Sequence, residues 1–228
     1  LADNFVSANL WADFTLTKKF IMSPENARMG YNNWMKKKTI ILASASPRRR
    51  ELLKKITKKF KVFRSKVKES EIIAKNPEAF AVKAAIAKAE DVALRSKNAL
   101  VIGADTIVVL GKKILGKPKS KKDAIDTLRS LMGKTHRVIT GLAIVDSETF
   151  EKHAGLEITK VKMRKAPKKE ILNYVKSGRP MDKAGSYGIQ EIEDIFIDKI
   201  EGDYENVVGL PVMKTKKLLA RFRRSSWV

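Results

Sequence analysis

The chain has 228 residues, 43% of them apolar, which is enough to bury a real core and argues against a disordered chain. It contains no cysteine, which excludes a disulfide framework and any thiolate metal site. Its 48 Lys and Arg against 25 Asp and Glu leave a net charge of +23. Such a balance favours nucleic acid, phosphorylated ligands or an acidic membrane surface, and is equally compatible with a solvated Lys-rich surface. No apolar stretch approaches the ~18 residues of a membrane span. The N-terminus lacks the basic start and small-residue cleavage site of a secretory signal. We therefore expect a cytoplasmic protein without membrane attachment.

Residues 1–34 read differently from the rest. Lys18, Lys19 and Arg28 cancel Asp3, Asp13 and Glu25, so all of the net charge lies beyond them. Met35 opens MKKKTIILAS in the manner of a natural start. We expect 1–34 to be a non-native or disordered extension and 35–228 to be one domain. The alternative is an extra helix, because FVSANLWADFTL has some apolar content.

From residue 38 the elements alternate. KTIILAS is a short apolar run that predicts a buried strand. Ser46 can cap a helix opened by Pro47, with Leu52, Leu53 and Ile56 as its apolar stripe. KVFRSKV alternates as a strand, and Asn76-Pro77-Glu78 opens a long helix to about Ser96. ALVIGADTIVVL is β-prone on both sides of a polar break at Gly103–Thr106. A helix is predicted over Ser120–Met132, ending at Gly133. THRVITGLAIVD and FEKHAGLEITKVKM are predicted as neighbouring strands. Pro167–Lys176 reads as a helix, IEDIFIDKIEG as an alternating strand, and Pro211–Phe222 as a final helix. The layout is mixed α/β.

Four polar clusters interrupt these elements. Ser44-Ala45-Ser46-Pro47-Arg48-Arg49 joins hydroxyls, free helix-N-terminal amides and guanidiniums at one strand-to-helix turn, a combination suited to an anion. Asp105 lies in an apolar stretch, where a carboxylate is costly unless paired, metal-bound or in a cleft; it is a candidate metal ligand or general base, or a structural Asp on backbone amides. GKKILGKP at 111–118 nearly matches a P-loop, but Pro118 replaces the Mg²⁺-binding hydroxyl and lacks an N–H, so the P-loop is rejected. Lys117 can still meet a phosphate from a loop. DKAGSYGIQ at 182–190 has glycines that permit close backbone approach and offers Asp182, Lys183 and Gln190 as polar groups. His136 and His153 are not at metal-ligand spacing, and we expect His136 to be a surface or core residue. Trp11, Trp34 and Trp227 lie near the termini and make no base-stacking platform.

In this order the segments LASASPRRREL, VIGADTIVV, LGKP, THRVITGLAI, PMDKAGSYGIQ and GDYENVVGLPV resemble the Maf family of nucleoside triphosphate pyrophosphatases. The resemblance runs from about Lys38 to Leu219. It implies an α/β fold with a mixed sheet, flanking helices and two lobes around a central cleft, similar to inosine triphosphatases. It implies hydrolysis between the α- and β-phosphates, giving a nucleoside monophosphate and pyrophosphate with a divalent cation, Mg²⁺ or Mn²⁺. Carried over by motif, Asp105 is the catalytic proton acceptor. Arg48, Thr106 and Gln190 are linked to base selection. Ser44, Arg49, Lys88, Lys117 and Lys183 line the triphosphate cleft, and Glu69 is a second carboxylate near the metal, with Asp105. The phosphate-gripping turn is expected to face Asp105 across the cleft. The full DKAGSYGIQ motif resembles the branch that prefers dTTP and UTP rather than the branch that favours 7-methyl-GTP. EIEDIF after Gln190 departs from the glycine-rich stretch more usual there. Clearing of noncanonical nucleotides and a homodimer are both compatible with the family. The rival readings are a nucleic-acid-binding module and a non-catalytic regulator of cell division. No nucleic-acid motif supports the former, so nonspecific nucleic-acid binding at most is expected.

Overall fold

The computed structural model describes residues 38–224. The expectation for residues 1–34 lies outside these. In chain order the elements are β1 (Thr39–Leu42), α1 (Pro47–Lys54), β2 (Lys61–Val62), α2 (Pro77–Ala93), β3 (Ala99–Leu110), β4 (Lys113–Leu115), α3 (Lys121–Leu131), β5 (Thr135–Asp146), β6 (Lys152–Met163), α4 (Lys168–Lys176), α5 (Ile189–Phe196), β7 (Ile197–Glu201), α6 (Tyr204–Val208) and α7 (Val212–Arg224). The mixed α/β class is as expected. The strands form one sheet in the order β2-β1-β3-β5-β6-β7, with β4 beside β3. β1 runs parallel to β2 and β3, and the other pairs are antiparallel.

The helix starts follow the sequence signals. The Ser46, Asn76 and Ser120 side chains each accept a hydrogen bond from the backbone N–H three residues on, which satisfies an otherwise unpaired donor. Pro47 and Pro77 occupy first-turn positions, where the missing N–H costs nothing.

Both faces of the sheet are covered. On one face the alanines of α2 (Ala81, Ala85 and Ala89) pack on residues of β3 and β5 such as Val101, Ile107 and Ile139. Two glycines make this contact possible. A Cβ on Gly103 would overlap the Ala85 carbonyl, and one on Gly141 would overlap the Ala81 carbonyl. The other face holds the larger core, where Ile102, Ala104, Val138 and Leu142 meet Leu53, Leu128, Ile192, Phe196 and Leu218 from the remaining helices. The neighbours of β3 therefore alternate: its odd-numbered residues face α2 and its even-numbered residues face the larger core.

Three readings change. KVFRSKV pairs only at Lys61–Val62, because its partner β1 ends at Leu42. The polar break in ALVIGADTIVVL is no break: β3 runs through it, paired residue by residue with β5. IEDIFIDKIEG is split between α5 and β7. Ile189, Ile192 and Phe196 recur at helical spacing and all are buried, and that burial outweighs the local alternation. No helix among the described residues is long and apolar enough to cross a membrane.

His136 belongs to the core. It is 2% exposed, and its Nε2 lies 2.6 Å from the Tyr187 hydroxyl. Burial depresses its pKa from 6.5 to about 4. The unfolded chain thus binds this proton more readily than the folded one, so stability is full above pH 6.5 and falls as pH drops towards 4. The loss should approach about 3 kcal/mol. Urea midpoints across this window should fall with pH and flatten in His136→Gln; an equally steep variant would exclude His136 as the cause. On the α2 side, Gly141→Ala should cost about 3 kcal/mol by overpacking and lower the melting temperature by about 6–12 °C. Circular-dichroism melting checks this, and a shift under about 2 °C would show that α2 can move away freely.

Candidate active site

The site begins with an interruption in pairing. β1 pairs with β3 only from Ala99 to Ile102, and β4 pairs with it only from Val108 to Leu110. Between them, residues 103–107 have no strand partner on that edge among the described residues. A cleft of about 530 Å³ lies along this stretch. Asp105 and Thr106 both line it, although their side chains leave β3 on opposite faces.

On the α2 face, Asp105 is 4% exposed and its Oδ1 accepts a hydrogen bond from Lys88 Nζ at 2.6 Å. The close packing of α2 delivers that ammonium, which also donates to Glu69 Oε1 at 2.5 Å. Lys88 thus bridges two carboxylates. Asp105 Oδ2 is buried and has no hydrogen-bond partner among the described residues. Burial raises the Glu69 carboxyl, but the Lys88 hydrogen bond and charge, helped by Lys117 and Arg49, outweigh it and hold the group below its ordinary value. Glu69 is therefore ionised at neutral pH.

On the other face stands Arg49, from the first turn of α1. Its Nε donates to Gly209 O at 2.8 Å, its Nη2 to Thr106 Oγ1 at 3.0 Å and its Nη1 to Ser44 Oγ at 3.3 Å. Burial lowers the Arg49 pKa, and the nearby Asp105 and Glu69 charges oppose that. Ser44 also accepts from the Ser46 N–H at 3.2 Å, which shapes the turn. The turn follows β1, the parallel neighbour of β3, and lines the same cleft as Asp105.

The 182–190 segment forms another part of the lining. Arg48 Nη1 and Asp182 Oδ2 approach to 4.0 Å. Lys183 Nζ donates to Arg179 O at 2.6 Å and Asp182 Oδ1 at 2.7 Å, and forms an ion pair with Glu191 Oε1 at 3.1 Å. Tyr174 fixes the same segment: its hydroxyl donates to Glu191 Oε2 at 2.8 Å and accepts from the Gly188 N–H at 3.3 Å. Gln190 sits in the first turn of α5, exposed, on the cleft wall.

All the sequence-predicted residues line this one cleft: Ser44, Arg48, Arg49, Glu69, Lys88, Asp105, Thr106, Lys117, Lys183 and Gln190. Sequence reasoning missed Thr140, Asn206 and Gly209, which stand behind Thr106 and Arg49. Their only trace was in the strand THRVIT and the segment GDYENVVGLPV, and neither carried a chemical signature.

Among the described residues, no cluster of three or more His, Cys, Asp or Glu side chains is arranged to hold a metal ion. Asp105 and Glu69 supply two carboxylates. That set fits a hard cation such as Mg²⁺, which takes one or two carboxylates and completes its shell with phosphate oxygens and water.

Comparison with known proteins agrees with this layout. The Maf-like protein family matches residues 39–222. A dTTP/UTP pyrophosphatase of Aquifex aeolicus (strain VF5) is 46% identical over 181 residues, covering 79% of this chain and 93% of the relative. A dTTP/UTP pyrophosphatase of Desulforamulus reducens is 47% identical over 183 residues, covering 80% and 96%.

Replacing Lys88 would leave two carboxylates, one of them buried, without their shared cation. Lys88→Met should therefore cost about 3 kcal/mol of stability. Urea unfolding measures this, and adding Asp105→Asn should restore part of the loss. An unchanged midpoint in Lys88→Met would mean that the ion cluster is not formed in solution.

Proposed function

Because the chain belongs to the Maf-like protein family, we propose that it hydrolyses nucleoside triphosphates to the monophosphate and pyrophosphate, with dTTP and UTP as preferred substrates. The observation that carries this reading is the pairing, in one cleft, of a buried carboxylate oxygen without a partner and a guanidinium anchored on three sides. The names of the relatives support the substrate.

The chemistry requires water to add to a phosphoryl centre, the bridging P–O bond between the α- and β-phosphates to break, and one proton to leave the water. Asp105 Oδ2 takes that proton. Lys88 holds Asp105 in place through Oδ1 and keeps the second carboxylate, Glu69, beside it. Arg49 uses three of its five N–H groups on the protein, which leaves two for phosphate oxygens. With Lys117 at the rim, it neutralises charge on the triphosphate and the departing pyrophosphate. Asp105 and Glu69 would hold a divalent cation, Mg²⁺ or Mn²⁺, which would supply positive charge against the phosphates and make water more acidic. Lys183 shapes the 182–191 segment through Arg179 O, Asp182 and Glu191 and adds positive charge to the cleft lining. The Gln190 carboxamide offers both a donor and an acceptor, which matches the paired acceptor and N–H of a thymine or uracil edge. Acting on this substrate pool, the protein works in the cytoplasm.

A nucleotide panel with Mg²⁺ and Mn²⁺, resolving pyrophosphate from orthophosphate, tests the reading. Pyrophosphate should appear fastest from dTTP and UTP. Asp105→Asn should keep its fold and lose at least about 10²-fold in turnover. Preference for 7-methyl-GTP would keep the chemistry and overturn the base assignment. Absence of turnover with every nucleotide would overturn both.

A further inference from the structure

Behind the cleft, Arg49 is tied to the core by a chain of hydroxyls whose hydrogens can be directed. The Thr140 hydroxyl lies 3.1 Å from the backbone carbonyl of Asn206, which can only accept. The single Thr140 hydrogen is therefore engaged there. The contact between Thr106 Oγ1 and Thr140 Oγ1, at 2.9 Å, must then be donated by Thr106. What Thr106 offers Arg49 Nη2, at 3.0 Å, is a lone pair. The chain thus runs in one direction, from guanidinium to Thr106, to Thr140, to the Asn206 carbonyl.

Its far end is firmly held. Asn206 is fully buried, and its Nδ2 donates to Val138 O at 3.1 Å and to Thr159 Oγ1 at 2.9 Å. Thr159 in turn donates to Asp203 O at 2.8 Å. The Asp203 carboxylate caps the start of α6 by accepting from the Glu205 and Asn206 N–H groups. α6 is thereby pinned to β5 and β6. Just beyond it, Gly209 O receives the Nε donor of the same arginine at 2.8 Å. Gly209 has φ +129°, a conformation that residues with a side chain rarely adopt, so glycine lets the chain turn its carbonyl towards Arg49.

We propose that Thr106, Thr140 and Asn206 are positioning residues that aim the two remaining N–H groups of Arg49 at substrate phosphate. Thr106, whose hydrogen is already directed at Thr140, presents a lone pair to Arg49 and so helps to set the aim of the guanidinium. The inference rests on the cleft binding a phosphorylated substrate.

The experiment compares Thr106→Val, Thr140→Val and Thr140→Ser with the parent protein, each also in an Arg49→Ala background. Two readouts are taken: turnover over the nucleotide panel, and calorimetric affinity for inorganic pyrophosphate. Each valine variant should lose about tenfold in turnover, about the effect of one hydrogen bond. The loss should be equal for all bases and appear in kcat/KM. Pyrophosphate affinity should weaken by a similar factor, and Thr140→Ser should restore both. In the Arg49→Ala background the valine changes should add less than about twofold, because a merely structural defect would persist there. The proposal is overturned if Thr106→Val changes base preference instead, or if the valine losses persist without Arg49. If the parent turns over no nucleotide, the functional reading fails and pyrophosphate affinity decides this one: a tenfold loss in Thr140→Val supports it, and no loss, or no binding by the parent, overturns it. Thr106→Val, at a half-buried position, carries the test if Thr140→Val does not fold.

Discussion

Helix α2 lies so close to strands β3 and β5 that only glycine fits beneath it at positions 103 and 141. This close approach is the constraint on which the cleft depends. It brings a lysine from the helix to within hydrogen-bond distance of a carboxylate in the middle of a central strand. At an ordinary helix-on-sheet separation, Asp105 would have to be solvated or would lack a cation. The alanines that allow the contact leave little volume to fill, so the helix contributes backbone proximity more than apolar bulk.

The second element is the uncovered edge of β3. Side chains on successive residues of a strand point to opposite faces, so Asp105 and Thr106 belong to different cores. They share a cleft only because β1 stops short and β4 begins late, which opens both faces to one space. The division is chemical as well as spatial. The α2 face carries the acid, its lysine and the second carboxylate. The opposite face carries the arginine and a chain of neutral hydroxyls and carbonyls that holds it. Proton acceptance and phosphate neutralisation are thus supported by separate packing, and each can be fixed without distorting the other.

Charges in the cleft are mostly engaged before any ligand arrives. Lys183 has two hydrogen-bond acceptors and an ion pair with Glu191, and Lys88 bridges two carboxylates. Preorganised donors of this kind need little rearrangement when charge develops on a phosphate, and this is where electrostatic stabilisation is most effective. The net charge of +23 is a separate matter. It is spread over many exposed lysines and bears on encounter with anions more than on the geometry of the cleft.

Much of this was legible in the sequence. Apolar periodicity, the Ser46 cap with Pro47, and the Asn76-Pro77-Glu78 opening were local signals, and α1 and α2 start where these place them. The ten candidate residues were legible because their motifs recur in a known family, and they share one cleft. Tertiary structure alone decided three things. It decided that the 192–196 stretch is helical, since burying Ile192 and Phe196 outweighs a local alternation. It decided that β1, which leads into the arginine turn, lies next to the strand of the acid, since strand order is not encoded in any single segment. And it decided the roles of Thr140, Asn206 and Gly209, whose importance lies in what they touch across 34 to 160 residues of chain. A threonine in a strand or an asparagine in a short helix has no local mark. Such contacts exist only once long-range packing has brought the partners together, and residue type and spacing cannot reveal them.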